Sequence, residues 1–365
     1  MKKIRVLHIA EIDNDLTKGT STIIPEYINA QQNEKSLEVS FLNCNNNVIN
    51  KINNKKNMYL KKDNTNMEVI KTIKPNLVVF HEIYKPDYLK IYKYLLKENI
   101  KYIIIPHGGM TKNAQNSKFI KKYIANFLVF YNFFKNAEMI QYLSENEKEN
   151  TKFSKLNCYV LGNGINNIPT NNMYVNNKKR VNNKINFIYV GRYDFLIKGI
   201  DQLVEAFLAA KNQKLNVVLN LYGKGDNKTH ETISDFIKNN NLEEYIKFNG
   251  PIFGEKKRSV IINNDIFIQV SRTEGPPLGV MEAMSLGMPV LLSYGTGYKN
   301  IVENHRIGKI CNTKSDDILK CIKYFINNAA RLNEFSNNSF NYANDNYSWD
   351  IIVLKTVKIY KKIIK

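Results

Sequence analysis

Cysteine, tryptophan and histidine are scarce in this chain of 365 residues, which holds four, one and five of them respectively. The cysteines, Cys44, Cys158, Cys311 and Cys321, have no CxxC spacing and no neighbouring histidines. That excludes a zinc ribbon and a disulfide framework, and the four read as reduced thiols, mostly in cores. With 17 glycines and 9 prolines, the chain is neither fibrous nor low-complexity. No run approaches the roughly 18 apolar residues that a membrane span requires. The opening MKKIRVLHIAEIDND is basic and then apolar, like a secretion signal. Arg5 and His8 interrupt the apolar run and acids follow at once, so it is expected to be a first buried strand of a cytoplasmic protein.

Apolar and basic residues are what the chain has in quantity. Hydrophobic residues make up 43% and aromatics 11%, enough for real cores, which excludes a disordered chain. A prior of roughly 150 residues per domain suggests two domains. The net charge is +20, nearly all of it lysine, because only seven residues are arginine. Residues 51–122 hold sixteen lysines against five acids. Asparagine reaches 54 residues, and lysine, asparagine and isoleucine enriched together match an AT-rich bacterial genome. Three readings of the charge stand side by side. It is a solvated surface, or it attracts anionic lipid at about 1 kcal/mol per lysine near the surface, or it meets nucleic acid, for which no arginine cluster speaks.

Short apolar runs alternate with helical stretches, the βαβα pattern of parallel-sheet domains. Strands are expected at 4–10, 37–42, 77–80, 102–106, 139–143 and 158–161, with helices at 21–33, 86–98, 115–135 and 144–153. The Asn- and Lys-rich stretch 43–62 reads as a mobile loop. The pattern lapses again in the Asn-rich residues 166–184, read as an interdomain linker. It restarts with strands at 185–190, 217–221, 246–248, 266–270, 289–292 and 307–310. The expectation is two doubly wound α/β domains, 1–165 and 185–348. The closing segment 349–365 has helical spacing and is expected to return to the first domain. Ligands of such sheets sit beyond the carboxyl ends of the strands.

The densest chemical signal lies in the second domain. Gly191-Arg192 ends the strand 185–190, and Lys198-Gly199 follows before an amphipathic helix. Two cations at a strand end and a helix start can face one polyanion, with charge-assisted contacts worth roughly 1.5–3 kcal/mol each. The alternative is a surface ion pair of Arg192 with Asp194 or Asp201. In SRTEGPPLGVMEAMSLGMPV, residues 271–290, Pro276-Pro277 precede a helix opening at Leu278. The first amides of that helix, at Leu278, Gly279 and Val280, are expected to form an anion site. Glu274 and Glu282, eight residues apart, suit two sets of sugar hydroxyls flanking a phosphate. They could equally be a helix cap and a solvent-facing side chain.

The pairing of GRYDFLIKG (191–199) with Glu274 and Glu282 resembles the retaining nucleotide-sugar glycosyltransferases of family 4, which have the GT-B fold. IIIPHGGM (103–110), EMIQYLSENEKEN (138–150), VLGNGI (160–165) and Tyr347-Ser348-Trp349 match further landmarks of that family in the same order. The resemblance implies two Rossmann-like domains facing across a donor and acceptor cleft, with the second binding the nucleotide sugar. It implies Gly191, Arg192 and Lys198 at the donor diphosphate, Glu282 on the ribose and Glu274 on the transferred sugar. His107 would hydrogen-bond a donor-sugar hydroxyl; its alternative is a cap on the following segment. Gly223 and Gly225 match a Gly-rich turn, and the turn 250–254, with Ile252, would lie against the base. In the first loop, Thr17-Lys18-Gly19-Thr20-Ser21, Gly19 stands alone where the family often has a glycine pair; it is expected near the phosphate or the acceptor.

Asp13-Asn14-Asp15 is formally a metal-binding D-x-D but reads here as a turn, so no metal and no other cofactor is expected. The helix 115–135 reads as aromatic core beneath the His107 loop, with Lys118, Lys121 and Lys122 available to a membrane face. The implied activity is transfer of one sugar, from a UDP-sugar by preference, to a hydroxyl of a glycan or lipid-linked acceptor in bacterial capsule, exopolysaccharide or O-antigen assembly, with peripheral membrane contact. Domain closure would exclude water. The alternatives are a sugar-nucleotide epimerase of the same fold and a non-catalytic scaffold subunit supporting a partner transferase.

Overall fold

The structure, a computed structural model, describes residues 3–15, 18–61, 66–116, 125, 129–166, 168–177, 184–275 and 277–365. The chain forms two compact units. The first is Met1–Asn166 with Ser348–Lys365, and the second is Asn167–Tyr347.

In the first unit seven parallel strands run β1 (Ile4–Ala10), β2 (Leu37–Asn43), β3 (Met58–Leu60), β4 (Leu77–His81), β5 (Lys101–Ile105), β6 (Met139–Tyr142) and β7 (Cys158–Val160), in the spatial order β3-β2-β1-β4-β5-β6-β7. Their sequences are near-continuous apolar runs because helices cover both faces of a parallel sheet. Every residue of β4, LVVFH, is buried. On one side Phe80, Tyr88, Tyr102, Phe133 and Phe134 make an aromatic core, with Tyr102 and Phe133 stacked 5.6 Å apart.

Of the helix expected over 115–135, the described residues show helix at Lys112–Asn116 and Tyr131–Lys135, and Lys118, Lys121 and Lys122 lie outside the described residues. One expectation for this unit changes. The segment 43–61 is anchored, contrary to the reading of 43–62 as a mobile loop. Ile49 and Ile52 are buried, and Met58–Leu60 adds β3 to the sheet edge. Asparagine side chains supply the bonds that its polar sequence hid: Asn14 Nδ2 donates to Val48 O (2.8 Å), Asn29 Nδ2 to Lys51 O (2.7 Å) and Asn43 Nδ2 to Asn47 O (2.9 Å). Such side chains satisfy loop backbone that has no strand partner.

The C-terminal helix Trp349–Ile364 belongs to the first unit. Trp349 stacks on Tyr27 of the helix Gly19–Gln32, and Tyr27 Oη bonds Thr356 Oγ1 at 2.9 Å.

The second unit has six parallel strands, β8 (Ile185–Val190), β9 (Val217–Tyr222), β10 (Ile246–Asn249), β11 (Ile266–Gln269), β12 (Val290–Ser293) and β13 (Gly308–Cys311), ordered β10-β9-β8-β11-β12-β13. Numbered from its own first strand, this is the 3-2-1-4-5-6 order of dinucleotide-binding sheets, with its switch point between β8 and β11. Of the residues expected as linker, 168–177 belong to this unit. Tyr174 is fully buried, and Asn172 Nδ2 donates to Ser336 Oγ and Asn337 Oδ1, both at 3.0 Å. A buried tyrosine and a doubly bonded asparagine tie down what its composition presented as spacer.

Among the described residues no helix is long and apolar enough to cross a membrane.

Candidate functional site

The sequence motifs of the second unit converge on the carboxyl edge of its sheet. After β8 the chain turns at Gly191. Gly223, after β9, approaches so closely that a Cβ there would overlap the Gly191 carbonyl oxygen. Gly225 packs on Tyr193, whose Oη donates to Asn249 O (2.8 Å) at the end of β10. Only a hydrogen fits at Gly223, which is the physical content of the Gly-rich turn.

Asp194 caps the short helix Phe195–Lys198 by accepting from Ile197 N at 2.8 Å. Gly199, with φ +66°, then redirects the chain into the helix Ile200–Asn212. This kink places Lys198 against Glu274, which follows β11. Their ammonium and carboxylate form an ion pair, with the side chains only 15% and 19% exposed. The other oxygen of Glu274 accepts from Gln269 Nε2 (2.6 Å) and Ser271 Oγ (2.7 Å), and its backbone N–H donates to Gly295 O (2.9 Å). A carboxylate bound on both oxygens has one orientation. Arg192 differs: its side chain is 64% exposed and meets Asp194 at 3.1 Å. The surface ion pair considered for Arg192 is therefore formed, and it leaves the guanidinium in solvent.

The helix Leu278–Ser285 opens beside these groups with Pro277 in its N-cap position and no side-chain cap; Pro276 lies outside the described residues. Of the three amides expected there, Val280 N is already used, donating to Pro277 O at 3.0 Å. Proline at the cap turns its carbonyl into the first turn, so two amides, Leu278 and Gly279, keep no partner among the described residues. Glu282 pairs with Lys257 of the helix Gly254–Ile262. Ile252, in the loop after β10, is buried and its neighbour Phe253 is exposed.

The first unit holds His107 and Gly19. Gly19 opens the helix Gly19–Gln32, and nothing lies within 4 Å of where its Cβ would be, so no close packing demands the glycine. Asp13 accepts from Asp15 N (3.1 Å), Ser21 Oγ (3.0 Å) and Lys18 Nζ (2.5 Å), the turn expected of Asp13-Asn14-Asp15. His107 follows β5 with φ +47°, an uncommon backbone conformation for a residue with a Cβ. The buried Glu147 carboxylate holds the loop there, accepting from Gly108 N (2.6 Å) and Leu143 N (2.7 Å). His107 Nε2 joins His81 Nδ1 at 3.0 Å, and His81 Nε2 joins His8 Nδ1 at 2.8 Å.

Burial pushes His8 and His107 down to about 4, and burial first, then its two histidine neighbours, carries His81 well below the ordinary value of 6.5. The unfolded chain thus binds protons near pH 6.5 that the folded first unit refuses until about pH 4. Stability contributed by the neutral rings is complete above pH 6.5 and is lost as the pH falls through that window, on the order of 3 kcal/mol for a ring shifted this far. Urea unfolding of the first unit should therefore weaken steeply from pH 6.5 to 4, less so in His8→Asn. A flat profile across this range would contradict neutral buried rings.

Sucrose-phosphate synthase from Thermosynechococcus elongatus superposes with a TM-score of 0.75 at 16% identity, covering 99% of each chain. HepE from Anabaena, solved in complex with UDP, also gives 0.75, at 14% identity over 98% of this chain and 100% of that one. The fold is GT-B. Residues 173–342, all within the second unit, match the family described as Glycosyl transferases group 1. An uncharacterized glycosyltransferase of Haemophilus influenzae is 26% identical over 245 residues, 64% of this chain and 62% of that protein. The chain spans between 24% and 62% of the length of the curated relatives it matches.

Several residues that organise the two GT-B domains had no role in the sequence reading. Gln269 and Ser271 orient Glu274. Lys257 meets Glu282. Arg272 is bidentate to Asp201 at 2.6 and 2.8 Å and ties the β11 loop to the helix Ile200–Asn212. Glu147 was findable: Ser144 accepts from Glu147 N, and S-x-x-E before a helix is a capping signature. Gln269 and Lys257 carry no such local signal.

Proposed function

We propose that this chain is a retaining, metal-independent glycosyltransferase of family 4 type that moves a sugar from a nucleoside diphosphate sugar, UDP-sugar by preference, to an acceptor hydroxyl. The observation that carries the reading is the carboxyl edge of the second sheet. There the switch point between β8 and β11 presents Lys198, Glu274 and an uncapped helix N-terminus together. The diphosphate oxygens take Lys198, the exposed Arg192 and the amides of Leu278 and Gly279. Positive charge held in place before the reaction stabilises the charge that develops on the leaving diphosphate, and this is the ground for expecting no metal. Glu282 takes the ribose hydroxyls, in exchange for Lys257. Glu274 faces the transferred sugar, and His107 hydrogen-bonds a sugar hydroxyl. The UDP seen with HepE supports uracil as the base.

The acceptor we propose is a lipid-linked glycan in bacterial surface-polysaccharide assembly. Exposed Lys55, Lys56, Lys71, Lys74, Lys90 and Lys93 of the first unit support it, since each lysine near an anionic surface contributes about 1 kcal/mol.

Thermal shift with UDP, GDP, ADP and dTDP sugars, each with and without EDTA, tests the donor site. A UDP-sugar should raise the melting temperature, EDTA should leave the rise intact, and Arg192→Ala should abolish it. At a hundred times the dissociation constant the stabilisation is about 2.7 kcal/mol. A response to none of the four classes, or one that vanishes with EDTA, would overturn the proposal.

A further inference from the structure

Three of the five histidines of the chain lie in one hydrogen-bonded row in the first unit, and the donor chemistry uses only the last of them. The row follows from strand order and register. His8 on β1 is level with Val79 on β4, and His81 stands two residues further along β4. His81 is level with Ile105 on β5, and His107 stands two residues beyond that. Residues two apart on a strand share a face, as do registered neighbours, so His8 and His81 share one face of the sheet, and the His107 ring, past the end of β5, meets His81. His8 and His81 are fully buried and His107 is half-buried. At the inner end Gln31 Oε1, on the helix Gly19–Gln32, lies 3.2 Å from His8 Nε2. The N···N separations of 2.8 and 3.0 Å are hydrogen bonds, too short to seat a metal ion between rings.

We infer that Gln31, acting through His8 and His81, sets the tautomer of His107, so that His107 offers a bare Nδ1 lone pair to a ligand hydroxyl. A neutral imidazole has one N–H donor and one acceptor nitrogen. A row of neutral rings therefore has a single direction, dictated from one end. Gln31 Oε1 can only accept, so His8 carries its proton on Nε2 and accepts at Nδ1. His81 then donates from Nε2 and accepts at Nδ1 from His107 Nε2–H. His107 is left as the Nε2–H tautomer, with Nδ1 meeting no protein group among the described residues. The depressed proton affinity of all three rings keeps the row neutral near pH 7. Gln31, His8 and His81 are positioning residues. They touch no substrate and act only on the polarity of His107.

The inference rests on the glycosyltransferase reading for its catalytic consequence but not for its physical content. Uniform [15N]histidine labelling and long-range proton–nitrogen spectra at pH 7.5 read both nitrogens of every ring, and the exposed His230 and His305 complete the set of five. Expected are three Nε2–H rings with unprotonated Nδ1 at His8, His81 and His107, assigned by single His→Phe variants. In Gln31→Met, which keeps size but removes the acceptor, His107 should become a mixture of tautomers although it lies three links away. Transfer should then fall about twofold to tenfold in kcat/KM, the worth of one neutral hydrogen bond. A protonated Nδ1 on His107 in the wild-type protein overturns the inference without needing any variant, and so does an unchanged His107 ring in folded Gln31→Met. If the wild-type protein transfers no sugar, the functional reading fails and the ring spectra still decide the tautomer.

Discussion

Replacing Lys198 by alanine is expected to reduce turnover by about 10²–10³-fold, the cost of removing one preorganised charge donor from a developing oxyanion. The magnitude follows from how firmly the ammonium is held. Lys198 is mostly buried, ends a capped short helix and pairs with a carboxylate that Gln269 and Ser271 grip from the other side. It therefore loses little freedom when a diphosphate arrives. Arg192 is mostly exposed, so Arg192→Ala should act more on donor affinity than on turnover. Without Lys198, Glu274 keeps two side-chain donors, and the structural loss should stay at about 1–3 kcal/mol. The measurements are UDP release under saturating donor, KM for the donor, and a circular dichroism melt of each variant. Near-normal turnover in both Lys198→Ala and Arg192→Ala would refute the donor site proposed here.

Trp349→Ala should destabilise the first unit by about 3–5 kcal/mol, the range for truncating a buried tryptophan. The single tryptophan is 6% exposed and stacks on Tyr27 with ring centroids 5.5 Å apart. Gly164 lies flat against its indole, where a Cβ would overlap the ring. Ser348 caps the helix by accepting from Ile351 N. Truncation removes a large side chain that ties the last helix to residues more than 150 positions earlier, and the cavity cannot refill from a glycine. Urea unfolding should show the first unit's transition moved to lower denaturant, while the second unit's transition stays in place. A loss below about 1 kcal/mol would mean that the C-terminal helix is held by its other contacts.

Strands were legible in the sequence wherever both faces of a sheet are buried, since VLHIA, LVVF and FIYV leave no polar face to explain. β3 was not, because Met58–Leu60 is short, at the edge and flanked by lysines. The polar residues 43–61 and 168–177 are held more firmly than their composition suggests, for one shared reason. Composition registers asparagine as loop-forming and does not register whether its amide finds a backbone carbonyl, as Asn29 and Asn43 do, or another side chain, as Asn172 does.

The sequence by itself determined the alternation of elements, the return of the last helix, and the placing of Arg192, Lys198, Glu274 and Glu282 at strand ends and helix starts. These are local properties, written in periodicity and in spacings of a few residues. Only the tertiary structure decided the partners: Lys198 with Glu274, Lys257 with Glu282, and the row from Gln31 through His8 and His81 to His107. His8 and His81 are 73 residues apart. They meet because β1 and β4 are neighbours in the sheet and two side chains in parallel register share a face, and strand order is set by the packing of the whole domain rather than by any segment of it.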